Sequence, residues 1–197
     1  MNFVTRCALT LLFAFSAVVL GDAAQAADDI SKVNGSVKIE PGQQVGDVST
    51  VNGSVTIGAG ARAGNVETVN GSLKIEDKAV VGSAETVNGS ITVGAEAEVQ
   101  RGVEAVNGSL TLRQGAKVAG GLENVNGSML VEGARVDGGI ETVNDDIRRA
   151  TGSHVTGGIH VEEQKSSWWK GKNSRNPRIT IEQGVTVEGP LHFERAV

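Results

Sequence analysis

Apolar side chains return along this chain at intervals of six. Val33, Ile39, Val45, Val51, Ile57, Ala63, Val69, Ile75, Val81, Val87, Val93 and Val99 keep the interval without a miss. Within it, Val37 and Ile39 flank Lys38, Val55 and Ile57 flank Thr56, and Ile91 and Val93 flank Thr92. A period of two belongs to a strand with one buried face; a helix needs returns at three and four residues, and these are not sustained. Each interval therefore predicts one short strand and one corner.

A longer period lies over the short one. Val-Asn-Gly-Ser starts at Val33, Val51, Val69, Val87, Val106 and Val125, and Val143 opens a degenerate copy, Val-Asn-Asp-Asp, so that successive spacings are 18, 18, 18, 19, 19 and 18. Eighteen is three sixes. The predicted fold is all-β, a single-stranded parallel β-helix, or β-solenoid, with three short strands per coil and successive coils about 4.8 Å apart. About eight coils are expected, as one domain over 27–197. Regular coils run over 33–160, a loop insertion over 162–178, and the last coil with a C-terminal cap over 179–197. The two 19-residue coils are expected to carry their extra residue before Val103 and Leu122, as a bulge at the third corner. One coil buries too little apolar surface to offset the ordering of its backbone, so stability must come from the stack.

Stacking puts Asn34, Asn52, Asn70, Asn88, Asn107, Asn126 and Asn144 in one column, where each side-chain amide can donate to one neighbour and accept from the other. The glycine after each permits a tight corner. The first six are also Asn-Gly-Ser glycosylation sequons, but a glycan on every coil would compete with the amide ladder. A second column, Glu67, Glu85, Glu104, Glu123 and Glu141, stacks like charges, and outward exposure would let solvent screen them. The outward positions Lys38, Thr56, Lys74, Thr92 and Thr111 mix charge with hydroxyl and form no flat threonine array.

Composition narrows the function. Only 3% of the 197 residues are aromatic, Tyr is absent and glycine reaches 27, so a globular core with large aromatic anchors is excluded. The net charge of −5, with both signs mixed along the chain, leaves no basic stripe for nucleic acid. Residues 1–26 read as an export signal, with Arg6, an apolar run from Ala8 to Leu20, and Ala24-Gln25-Ala26 as a small-x-small cleavage site. The run is too short to span a bilayer. The expected location is therefore periplasmic or secreted, in a bacterium. The sole cysteine, Cys7, would leave with the signal, which excludes disulfides, thiolate metal sites and cysteine nucleophiles from the mature chain.

The phrases GARVDGGIE from Gly133, SHVTGGIHVE from Ser153 and ITIEQGVTVEGPLHFE from Ile179 share a turn glycine, a valine, then Gly-x-Ile or Gly-x-Leu. In these the chain resembles the bactofilins, bacterial polymer-forming cytoskeletal proteins built on a three-sided β-helix. The resemblance covers most of residues 33–197 and implies a right-handed coil and no catalytic residues. It departs from the family in two respects: filament-forming members are cytoplasmic, and Val-Asn-Gly-Ser is unusually regular here.

Chemistry is concentrated where the repeat fails. The insertion EEQKSSWWKGKNSRNPR holds both tryptophans, Trp168 and Trp169, among Lys165, Lys170, Lys172, Arg175 and Arg178, about 14 residues beyond what the register requires. Aromatics beside cations suit a membrane headgroup region, an envelope polysaccharide or a partner groove, with Trp168, Trp169, Lys170, Lys172 and Arg175 as the candidate binding residues. The same loop folded back over the bare end of the core is the structural alternative. His160 and His192 fall at equivalent positions of neighbouring coils, on the outward parity beside inward Val161 and Phe193, within reach of Glu162 or Glu194. With no third convincing ligand and no nucleophile, no metal site, no cofactor and no catalysis is expected. Open solenoid ends invite stacking with another copy. Pro41 in the first coil and Pro177 and Pro190 in the last would blunt those edges. The function expected is a non-enzymatic, exported structural or scaffold element of the cell envelope that self-associates. The alternative is a binding or adhesion module acting through the Trp-Trp-Lys loop.

Overall fold

The structure, a computed structural model, describes residues 28–144, 146–150, 152–162, 176–194 and 196–197, with no side-chain description at 149 and 150. The expected export signal and the Trp168–Arg175 stretch lie outside the described residues. Every described element is a strand, and every strand pairing is parallel. No helix among the described residues is long and apolar enough to cross a membrane.

The chain winds as a β-solenoid with three faces. On one face Val37, Val55, Leu73, Ile91, Leu110, Met129, Ile147 and Ile179 stand one above another, eight levels joined by seven steps. A second face carries Val81, Val99, Val118, Val136, Val155 and Val187. The remaining face begins at Ile30, continues through Val48, Val66, Ala84, Val103, Leu122, Ile140 and Ile159, and ends at Leu191. It has one level more because the chain enters and leaves on it. The three inward columns meet in one continuous core.

The valine of Val-Asn-Gly-Ser is not part of that core. In the strand Val48–Asn52 the inward positions are Val48 and Thr50, so Val51 points outward. Val33 is exposed and Val69 and Val87 are half-buried; only Val125 and Val143 bury themselves, in a small satellite cluster with Val106. The six-residue rhythm thus merges inward positions such as Ile39 and Ile57 with outward ones such as Val51, because the strand before the Asn corner is five residues long and its parity is set at Val48. The inward threonines satisfy their hydroxyls on the corner carbonyl one coil back: Thr50 Oγ1 donates to the Gly35 oxygen at 3.1 Å, Thr68 to Gly53 at 2.9 Å and Thr86 to Gly71 at 3.1 Å. Asn124 takes this place higher up, its Nδ2 donating to the Gly108 oxygen at 2.8 Å. A buried polar column is tolerated because each hydroxyl or amide finds an acceptor that the corner removes from the ladder.

Each letter of Asn-Gly-Ser has a separate task. The asparagines form an unbroken amide ladder from Asn144 down to Asn34, every Nδ2 donating to the Oδ1 below at 2.9–3.1 Å. The serine hydroxyl accepts from the backbone N–H of the serine above, as Ser36 does from Ser54 and Ser72 from Ser90. The glycine is set by stacking distance, since a Cβ on Gly71 would lie 1.9 Å from the Gly53 carbonyl oxygen. Because the ladder is exposed, cutting it in the middle has a modest predicted effect. Asn88→Ala removes two side-chain hydrogen bonds and should lower stability by about 1 kcal/mol, read as a fall of about 2–4 °C in Tm. An unchanged Tm would mean that water replaces the ladder at no cost.

Irregular coils follow a different rule from the one expected. The corner between the second face and the next level spans Val81 to Ala84 in the lower coils, then Val99 to Val103, Val118 to Leu122, Val136 to Ile140 and Val155 to Ile159. The added residue is therefore not a bulge in two coils. It is a longer corner adopted at Val99 and kept by every coil above, carrying the pairs Gly120-Gly121, Gly138-Gly139 and Gly157-Gly158. A Cβ on Gly138 would lie 2.5 Å from the Gly120 backbone, so this corner also stacks too closely for a side chain. The return to 18 comes instead from a shortened turn between Val131 and Val136. The final insertion is 13 residues long, since Ile159 pairs with Leu191 while Ile140 pairs with Ile159.

Candidate functional site

Face three carries an outward column continuous from end to end. Ser31, Ser49, Glu67, Glu85, Glu104, Glu123, Glu141, His160 and His192 are paired in that order. Five carboxylates at ladder spacing, half-buried between neighbours, cannot all hold full charge cheaply. Burial, then the charges of Glu104 and Glu67, push the Glu85 carboxyl up to about 7, against the lowering pull of the Ser83 hydroxyl and Arg101. Glu67 is raised by burial and Asp47 and lowered by Arg101. Arg101 sits at the corner beside this stretch, its guanidinium donating to Ser83 Oγ at 3.4 Å. Within this acidic column Glu85 is thus the carboxyl that holds its proton closest to neutrality.

Towards the C-terminal end, acid gives way to histidine. His160 lies on the strand Ile159–Val161 and His192 on the strand Leu191–Phe193, directly above it. Their rings are 5.0 Å apart and tilted by 58°. Two residues along each strand, on the same side, stand Glu162 and Glu194. His160 Nε2 lies 3.4 Å from Glu194 Oε1, and His192 Nε2 lies 3.9 Å from the same oxygen. Beneath His160 sits Glu141, so that Glu141, His160 and Glu162 form a second cluster sharing one imidazole with the first. Glu194, already within reach of the histidines by sequence position, has its carboxylate near both rings. The signal was in the sequence as His-x-Glu in IHVE and again in LHFE, legible only once the insertion between them is removed from the register. His154, on the second face, pairs separately with Glu188 at 3.0 Å.

No protein-family model, curated protein or solved structure matches this chain. What can be said of function therefore rests on the fold, the stripe and the two ends.

The ends differ. At the first coil Val37 and Ile39 are 4% and 2% exposed. At the last, Ile181 is 44%, Leu191 50% and Phe193 38% exposed, so Phe193, expected to point into the core, is instead left partly open to solvent. The candidate binding residues Trp168, Trp169, Lys170, Lys172 and Arg175 lie outside the described residues. The described chain stops at Glu162 on the third face and resumes at Asn176. Its return is pinned where the Arg178 N–H donates to Asp146 Oδ1 at 2.9 Å and the Ile147 N–H to the Arg178 carbonyl at 2.9 Å.

Proposed function

We propose that this chain is a non-enzymatic, exported scaffold element of a bacterial cell envelope, a bactofilin-like rod whose copies join through their C-terminal ends. A β-solenoid is consistent with a structural or binding role, and the observation that carries the reading further is the inequality of the ends. Ile181, Leu191 and Phe193 expose apolar side chains on a coil whose outer backbone edge has no further strand among the described residues, whereas in the first coil Val37 and Ile39 are buried. Unpaired edge strands beside exposed apolar side chains favour another strand layer of the same geometry. A second copy supplies one. Because, among the described residues, the last coil exposes Ile181, Leu191 and Phe193 together, the contact that covers most apolar surface is end to end between two C-terminal coils, an isologous pairing that closes at the dimer. The export segment at residues 1–26 supports the envelope location, and the repeat phrases support the family likeness.

Sedimentation equilibrium of the purified chain tests this reading. The expected result is concentration-dependent dimerisation that disappears in the double variant Leu191→Glu, Phe193→Glu, with the circular dichroism spectrum unchanged because both positions are exposed. A native chain that stays monomeric at every concentration, or a variant that dimerises as before, overturns it.

A further inference from the structure

The structure assigns a divalent transition-metal site to His160, His192 and Glu194, at the C-terminal end of the histidine-bearing face. Three observations meet there. The two imidazoles come from successive levels of one parallel ladder, so their separation is held by backbone pairing of His160 with His192 and does not depend on a flexible loop. The ligand atoms of the three side chains lie within 4.8 Å of one another, and His160 Nε2 lies 3.4 Å from Glu194 Oε1. That separation is close to the roughly 3.3 Å edge of a tetrahedron built on Zn–N and Zn–O bonds of about 2.0–2.1 Å. The donor set itself, two neutral imidazoles and one carboxylate, suits zinc and its neighbours and is poor for calcium or magnesium, which take oxygen ligands.

The surroundings favour a cation. Glu141 and Glu162 stand beside His160 on the other side, and the acidic column Glu67 to Glu141 runs up to the site from below. Their negative potential would draw a divalent ion towards the end of the rod. Side-chain exposures of 32% for His160, 32% for Glu194 and 66% for His192 leave the site open to solvent, so an ion can enter and water can take its fourth position. An ion held there ties Leu191–Phe193, the last strand, to Ile159–Val161 beneath it. This consequence stands whether or not copies associate.

Titration calorimetry with Zn²⁺ on the whole chain, after dialysis against a chelator, tests the site. One saturable site per chain is expected, weakened at least 10-fold by His160→Ala, His192→Ala or Glu194→Gln, and unaffected by His154→Ala on the other face. Binding should also fall on acidification, since imidazole must give up its proton to bind metal. Amide exchange at Leu191–Glu194 should slow on adding Zn²⁺ in the native chain and not in the His160→Ala, His192→Ala double variant. Absence of a saturable site in the native chain overturns the assignment. So does Zn²⁺ binding of native strength in the double variant, which keeps its fold because both histidines lie on the outer surface.

Discussion

Gly71→Ala is expected to lower the Tm by about 10 °C, corresponding to about 3 kcal/mol. The loss comes from stacking geometry and not from backbone strain. An added Cβ meets the Gly53 carbonyl oxygen at 1.9 Å and its carbon at 2.5 Å, both backbone atoms that no rotamer change can move aside. Relief requires the Asn corner to open, and opening it stretches the amide bond from Asn70 to Asn52, 3.0 Å long, and the Thr68 bond to the Gly53 carbonyl at 2.9 Å. Gly60→Ala is the comparison. Gly60 has φ of +67° and nothing within 4 Å of an added Cβ, so its cost is confined to the left-handed backbone, about 1–2 kcal/mol. Thermal denaturation followed by circular dichroism should show the first variant losing more than the second. Equal losses would mean that the corners are not in stacking contact.

Glu85→Gln should raise stability above pH 7 and leave it unchanged below pH 4.5. The folded carboxyl is raised to about 7 from an ordinary 4.5, so between these values the folded chain holds a proton that the unfolded chain has released. Stability from this group is fully present below about 4.5 and is lost as pH rises towards 7. The shift corresponds to about 3 kcal/mol, which water at a partly exposed side chain reduces to about 2. Above pH 7 the variant should therefore melt about 4–8 °C higher than the native chain. A gap in Tm equal at pH 4.5 and pH 7.5 would show that Glu85 is not held in its acidic form by burial and by Glu67 and Glu104.

Much of the stack was legible because the repeat is long and nearly perfect. Period two in Val55-Thr56-Ile57 and period eighteen between successive Asn-Gly-Ser phrases admit few folds besides a three-sided parallel solenoid. The Asn column also follows from equal spacing, since residues one coil apart must lie one level apart. Parity was harder. Val51 and Ile57 look alike in the six-residue rhythm, yet only Ile57 is inward, because Thr50 fills the core position and satisfies its hydroxyl on a glycine carbonyl supplied by the coil before. That acceptor is 15 residues away and invisible to local pattern.

The candidate metal site shows the same boundary. His160 and His192 could be aligned by hand, but they are 32 positions apart, and the register there is interrupted by a 13-residue insertion. The direction in which Glu194 turns was decided by neighbours in space. Repetition along the chain determined that there would be a stack, how many residues each level takes and which residue types share a column, because in-register β-pairing converts sequence period directly into height. Only the tertiary structure decided which valines face the core, which end of the rod is left bare and which carboxylate meets the two imidazoles. Those depend on side chains from different coils competing for the same space and the same hydrogen bonds.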